Sequence, residues 1–362
     1  MAPSVSRSIW SRVTDVASLA ATPLVPSHYL ELVSPLHATH ARAARVESVV
    51  RETEDASTLT LRPGRGWRGH RAGQFVAVGA EIEGRIVTRT YSIASAPDRA
   101  DGRVAITVKV ARGGKMSGHL ARNVRQGDYL TLGEAQGDFT FSDAPHRPAL
   151  FVTGGSGITP VMSMLRSFAF RGAMPDVVHL HYAPRPADVI FRDELARLGA
   201  RHSSYHLVVV STREPSGERF GRATLAQHVP DWESRETWAC GPRSLLAAVE
   251  DTFAPPRSFP LHVERFQPVF APPDGSACGG RVRFGRSRTE VEANGQTPLL
   301  EVAERAGVNA PHGCRMGICH SCDASLVSGS VRDLRTGRVV GEPGARVQIC
   351  VCAAAGDVEL AV

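Results

Sequence analysis

Lysine is nearly absent from this chain: of 42 basic residues only Lys109 and Lys115 are lysines. Such an arginine-heavy set reflects GC-rich codons, and there is no basic run interleaved with aromatics, so a nucleic-acid partner is not expected. The net charge of +6 is small for 362 residues. Long apolar runs are also missing; none approaches the roughly 20 residues needed to cross a bilayer. Arg7, Arg12 and Asp15 interrupt the N-terminus before a signal-peptide core could form. The seven cysteines crowd toward the C-terminal end rather than spreading into a secreted disulfide framework. The expected location is therefore the cytoplasm. The opening segment, "SIWSRVTDVASLAATPLVPSHYLELV", reads as short amphipathic helices packed on the body, with peripheral contact at the inner membrane face as the second reading.

What is present is organised in blocks. Residues 45–145 alternate short apolar runs with turn signals ("RVESVV", "TLTLRP", "GQFVAVG", "RIVTRTYSIAS", "RVAITVKV", "DYLTLG"), the rhythm of an antiparallel barrel. From residue 148 buried strands alternate with helices: "PALFVTGGSG", "TPVMSMLRSFAF", "VVHLHYAP", "VIFRDELARLG", "YHLVVVST", "TWACGP", "RSLLAAVEDTF". That order predicts a doubly wound parallel sheet. A Pro-rich linker, "FQPVFAPPDGSACGG", precedes a block that restarts with strands and a short helix, "PLLEVAERAG". The expected organisation is a helical extension over 1–43, a barrel over 44–146, an α/β unit over 147–256, a linker over 257–278 and a small C-terminal domain over 279–362. The fold class is thus multidomain, mixing α+β with α/β.

Cys314, Cys319 and Cys322 stand in the spacing C-x4-C-x2-C. Structural zinc sites pair their ligands as C-x2-C units, and a disulfide is unexpected in a cytosolic chain. The spacing is that of a plant-type [2Fe–2S] loop, which needs a fourth thiolate downstream. "QICVCAAAGDVEL" offers two, Cys350 and Cys352, which would share one face of an extended strand. "LLEVAERAGVNAPHGCRMGICHSC" together with "VQICVCAAAGDVELAV" resembles a plant-type ferredoxin domain of β-grasp fold over the last 84 residues. That resemblance implies Cys350 as the fourth ligand, with 27 residues between it and Cys322. His312 and His320 flank the cysteines as hydrogen-bonding or surface residues.

Four further motifs lie upstream. In "RTYS", Arg89 and Tyr91 alternate onto one strand face, suiting a phosphate and a flat ring, while Ser92 can donate to a ring nitrogen. In "VARGGKMSGHL", Gly113 and Gly114 lead into Ser117 at a helix start, which suits a pyrophosphate. "FVTGGSGITP" places Gly154, Gly155 and Gly157 between a strand and a helix opened by Thr159 and Pro160, where dinucleotides bind. "CGP", Cys240, Gly241 and Pro242, closes the last strand of the sheet. The second strand ends without the acidic residue that holds an unphosphorylated ribose.

These motifs, in this order, resemble the ferredoxin–NADP reductase superfamily, and the chain resembles the one-chain reductases of the phthalate dioxygenase reductase kind. The resemblance implies a flavin barrel, a Rossmann-like nucleotide domain and a ferredoxin module. It implies FAD held by Arg89, Thr90, Tyr91, Ser92, Val108, Gly114, Lys115, Met116 and Ser117. It implies a nicotinamide nucleotide held by Gly154, Gly155, Gly157, Thr159 and the Cys240–Pro242 turn, with NADPH favoured by Arg213, aided by Arg219 or Arg222. Tyr91, Ser92 and Cys240 are expected beside the reacting rings, with Phe266 covering the flavin and Glu264 near the same edge. Electrons would pass from NADPH through FAD and the cluster to an acceptor protein, an oxygenase or a membrane acyl desaturase. The segments "PSHYLELVSPL" and "GHRAGQFVAVG" look like actinobacterial desaturase reductases. A P450 or hybrid-cluster protein is an alternative acceptor, and a peripheral carrier or redox-sensor subunit of a membrane complex is a further reading. A monomer is expected.

Overall fold

The computed structural model describes residues 34, 36, 43–141, 147–214, 217–254, 258–271 and 278–362. The helical extension expected at the N-terminus lies outside them.

The first block is built from β1 (Ala43–Thr53), β2 (Ala56–Pro63), β3 (Phe75–Ile82), β4 (Arg85–Ser92), β5 (Val104–Lys109), the helix α1 (Lys115–Arg122) and β6 (Tyr129–Gln136). The strands pair antiparallel in the order β4-β3-β6-β1-β2-β5. A bridge from Ile93 to Ile106 of β5 brings the end of β4 round to the opposite edge, closing the barrel. Alternation turns Val46, Leu59, Leu61, Val76, Val78 and Ile106 inward, all fully buried.

The second block runs β7 (Ala149–Gly154), α2 (Ile158–Arg171), β8 (Val177–Ala183), α3 (Arg192–Arg201), β9 (Tyr205–Ser211), α4 (Arg222–His228), β10 (Glu236–Cys240), α5 (Arg243–Thr252) and β11 (Leu261–Glu264). Its sheet is wholly parallel, ordered β11-β10-β7-β8-β9. β7 and β8 are buried end to end because helices cover both faces. β11 extends the four strands legible in sequence. One cluster, holding Phe151, Ile158 and Met162, takes in Ala56, Ala94 and Phe139 of the first block, so barrel and α/β unit share a core.

The third block contains β12 (Gly280–Phe284), β13 (Thr289–Ala293), α6 (Leu299–Arg305), β14 (Asp323–Asp333), β15 (Val339–Val340), β16 (Arg346–Gln348) and β17 (Cys352–Leu360). The sheet β13-β12-β17-β14-β15 is mixed, with β12 and β17 parallel at its centre and β16 paired to β14. α6 packs Leu299, Leu300 and Val302 into a core of its own, the arrangement of a β-grasp.

Candidate functional site

The parallel sheet reverses its strand order between β7 and β10, and the crevice at that switch point is where an α/β sheet takes its ligand. The two strand ends meet there almost without side chains. A Cβ on Gly157 would fall 2.1 Å from the Cys240 carbonyl oxygen, and one on Gly154 would fall 2.8 Å from Pro242. Gly155 has a φ of +53°, which glycine adopts without strain. Thr159 donates its hydroxyl to the Ser156 carbonyl at 2.9 Å, so its side chain pins the turn. The N-termini of α2 and α5 open beside this turn and the Cys240–Pro242 turn, placing two positive helix ends at one spot.

A cavity of about 890 Å³ opens from this crevice. Gly154, Gly155, Gly241 and Pro242 form one wall, Tyr182, Thr212 and Phe220 another, and Phe266–Val269 a third. Lys109, Arg213, Arg219, Arg243 and Arg265 also line it, with no carboxylate among the described lining residues. Arg222 lies elsewhere, with its guanidinium 5.4 Å from the centre of the Trp232 ring. Lys109 comes from the barrel, where its Nζ stands 3.2 Å from Asp55. Sequence reasoning missed Lys109 and Arg243; the signal for Lys109 was its rarity as a lysine.

Cys240 is fully buried, and parallel pairing sets it level with Glu264 on β11. Burial, reinforced by that carboxylate, holds the Cys240 thiol well above its usual range. Burial likewise pushes Glu264 up to about 7, with Asp138 adding to the rise and Arg265 opposing it.

On the barrel, Arg89 and Tyr91 lie on one face of β4, and Ser92 at its end is buried. Burial lowers the Arg89 pKa and raises that of Tyr91. Gly113, at φ +71°, turns the chain into α1. A Cβ on Gly114 would fall 2.5 Å from Ser117 Oγ. Ser117 accepts from the Ala111 amide at 3.0 Å and donates to the Gly114 carbonyl at 3.2 Å, so its hydroxyl closes this loop. Val108 and Met116 are core residues by side chain. Lys115 points outward to Glu83, 3.2 Å away.

The four cysteines form two pairs. The Cys314 amide donates to Cys319 Sγ at 3.2 Å, and the Cys319 amide to Cys314 Sγ at 3.4 Å. Cys322 and Cys350 bring their sulfurs to 3.2 Å, and this contact holds the Cys322 thiol down and the Cys350 thiol up. Among the described residues no three His, Cys, Asp or Glu converge as a mononuclear site would require. Two thiol pairs with amides aimed at sulfur suit a binuclear centre in which each iron takes one pair. Cys350 and Cys352 do not share a strand, as their spacing suggested. Cys350 lies in the turn after β16, while Cys352 begins β17. Cys352 feels Asp333 and Arg335, and burial first of all pushes its thiol up to about 12.

The loop that presents these thiols is wound tightly. Arg315, Gly317 and His320 all take positive φ, at 60°, 70° and 57°. Arg335 donates to the Gly317 carbonyl at 2.9 Å, to Asp333 at 2.7 Å and to Gln348 at 3.1 Å, tying the loop to β14 and β16. Arg315 pairs with Glu304 of α6 at 2.7 Å. His312 bonds the Ala310 carbonyl and His320 bonds Asp323, so both are occupied as loop residues.

A barrel joined to a doubly wound sheet, followed by a cysteine-loop grasp domain, defines a flavin- and nicotinamide-dependent iron–sulfur reductase. Comparison with known proteins agrees module by module. Residues 43–141 match the oxidoreductase FAD-binding domain, 151–251 the oxidoreductase NAD-binding domain, and 282–355 the 2Fe-2S iron-sulfur cluster binding domain. An NADPH oxidoreductase of Mycobacterium tuberculosis is 44% identical over 352 residues, 96% of this chain and 91% of that one. The glycine betaine monooxygenase reductase subunit of Pseudomonas aeruginosa is 30% identical over 313 residues, 79% of this chain and 85% of its own. The solved phthalate dioxygenase reductase has the same fold, with a TM-score of 0.63 at 23% identity, covering 89% of this chain and 98% of that one. The chain belongs to this family of one-chain reductases, and its cofactors are FAD, a nicotinamide nucleotide and a [2Fe–2S] cluster.

Proposed function

We propose that this reductase draws electrons from NADPH and delivers them to an oxygenase component. The carrying observation is the cavity at the switch point, lined by five cations and, among the described residues, by no carboxylate. Arg213 and Arg219 grip the 2′-phosphate, as cations accept it where an acid would repel it. Lys109, Arg243 and the Gly154–Gly157 turn take the pyrophosphate. Thr159, Gly241 and Pro242 shape the wall, and Cys240 sets the nicotinamide against the flavin. When bound, the flavin accepts electrons in pairs and releases them singly to the cluster.

The chain's own part is to bind, orient and exclude water. Arg89 holds a flavin phosphate; Tyr91 lies along the ring; Ser92 donates to it. Thr90 and the backbone of Val108, Gly114, Lys115 and Met116 line the flavin, while Ser117 shapes their loop. Phe266, 42% exposed at the cavity wall, covers the ring when no nucleotide is bound. Cys314 with Cys319, and Cys322 with Cys350, hold the two irons. The oxygenase acceptor follows from the reductase subunit in Pseudomonas aeruginosa that serves a monooxygenase. No helix among the described residues is long and apolar enough to cross a membrane.

Anaerobic titration tests this reading. NADPH should bleach the flavin and then the cluster at lower concentration than NADH does, and an oxygenase component should then reoxidise the cluster. If NADPH leaves the flavin oxidised, the reading is wrong.

A further inference from the structure

The segment that walls the nucleotide cavity does not end in the nucleotide domain. Arg265 is pinned at its start by an ion pair with Glu250 of α5. Phe266, Gln267, Pro268 and Val269 then cross the cavity. Immediately beyond, Phe270 packs against the core of the ferredoxin module. The Ala271 amide donates to the Leu334 carbonyl at the end of β14, at 2.7 Å. The far end of the strap is therefore fixed beside Arg335, the residue that ties the cysteine loop down.

We infer that this strap makes nucleotide occupancy and the position of the ferredoxin module one linked equilibrium, with Phe270 as the positioning residue. From Phe266 to Phe270 the chain spans at most about 14 Å. Pro268 fixes its own φ and restricts Gln267 before it, so the strap has little slack to absorb a displacement. A ligand that contacts Phe266–Val269 restricts the strap, and with it the places the ferredoxin module can occupy. Linkage makes the effect reciprocal: whatever occupancy contributes to docking, docking returns to nucleotide affinity. Nicotinamide nucleotide thus acts at this site twice, as electron source and as the ligand that sets the cluster at its working distance. This rests on the reading that the cavity takes that nucleotide.

The test uses holoenzyme reduced by light with deazaflavin, so that electrons are loaded without nucleotide, and NADP+ as the probe. Stopped-flow absorbance follows electron transfer from flavin to cluster, and flavin difference spectra follow NADP+ binding. In the native chain NADP+ should accelerate the transfer about five-fold or more, the lower range of ordinary coupling. Phe270→Ala, and separately two glycines inserted between Val269 and Phe270, should keep FAD and cluster absorbance and dye reduction at the flavin. Both should abolish the NADP+ dependence and weaken NADP+ binding. Transfer that is indifferent to NADP+ in the native chain overturns the inference, as does a dependence that survives in the insertion variant. If NADP+ gives no spectral change at all, it is the functional reading that fails.

Discussion

At the scale of single residues, the fourth cysteine carries the most consequence. Cys350 stands in a turn with its sulfur against Cys322, whereas Cys352 opens a strand and faces Asp333 and Arg335. Cys350→Ser should abolish the cluster's visible absorbance and drop bound iron; Cys352→Ser should leave both near native values. Iron analysis of the two purified variants decides it, and the reverse result would reassign the ligand. Strand geometry alone could not separate these cysteines, because two residues apart they look equivalent on any extended strand; the ferredoxin resemblance pointed to Cys350, and a turn breaks the equivalence. Glu264 makes a prediction about pH. Its folded pKa of about 7 lies above the ordinary carboxyl value of 4.5. The folded form therefore holds a proton that the unfolded form releases between those values. The associated stability is fully present below about pH 4.5 and is lost as pH rises through 7, on the order of 3 kcal/mol at most. Glu264→Gln should flatten that window in the melting temperature followed by flavin fluorescence. An unchanged slope would mean that Glu264 titrates normally.

At the scale of elements, legibility followed periodicity. The barrel strands and β7–β10 were readable because alternation or continuous apolar runs mark them. β11 has four residues with no buried position, and α4 has seven, too short for a periodic stripe. β14 escaped because "SGS" at its centre looks like a turn. Gly329 there takes φ +82°, and a Cβ would fall 1.9 Å from the Asp357 carbonyl, so the glycine is a bulge inside a long strand. The same argument makes the cysteine loop fragile at Gly317. A Cβ there would fall 2.3 Å from the Arg335 guanidinium, and the positive φ adds about 1–2 kcal/mol for any other residue. Gly317→Ala should therefore lower cluster retention on chelator challenge, and Arg335→Leu should do the same without touching the loop backbone. Equal iron loss rates in both variants and the native chain would remove Arg335 from its supporting place. In the nucleotide crevice, the proposed grip on the 2′-phosphate can be tested directly. Charge-assisted hydrogen bonds of roughly 1.5–3 kcal/mol each predict that Arg213→Ala and Arg219→Ala raise the KM for NADPH about ten-fold or more. The KM for NADH should barely move, and a parallel rise in both would place the 2′-phosphate elsewhere.

At the scale of the molecule, the division of the cores decides how the chain comes apart. Barrel and α/β unit share one buried cluster, and Arg166 of α2 reinforces it by donating to the Ala94 carbonyl at 2.8 Å. Ser167 adds a 2.8 Å bond to Asp98 across the same seam. The ferredoxin module has a separate core, to which Phe270 of the strap alone adds from upstream among the packed residues described. Apolar burial is the dominant favourable term in folding, so elements that share a core should melt together and those that do not should melt apart. Heating should give two transitions. Loss of cluster absorbance should report one, and release of FAD together with loss of nucleotide binding the other. Cys350→Ser, which removes the cluster and with it the first signal, should leave the second transition in place, and with it NADPH-driven dye reduction, while abolishing delivery to an oxygenase. A single transition in which cluster and flavin are lost together would mean that the modules stabilise each other far more than their separate cores imply. The strap would then have to carry folding energy as well as position.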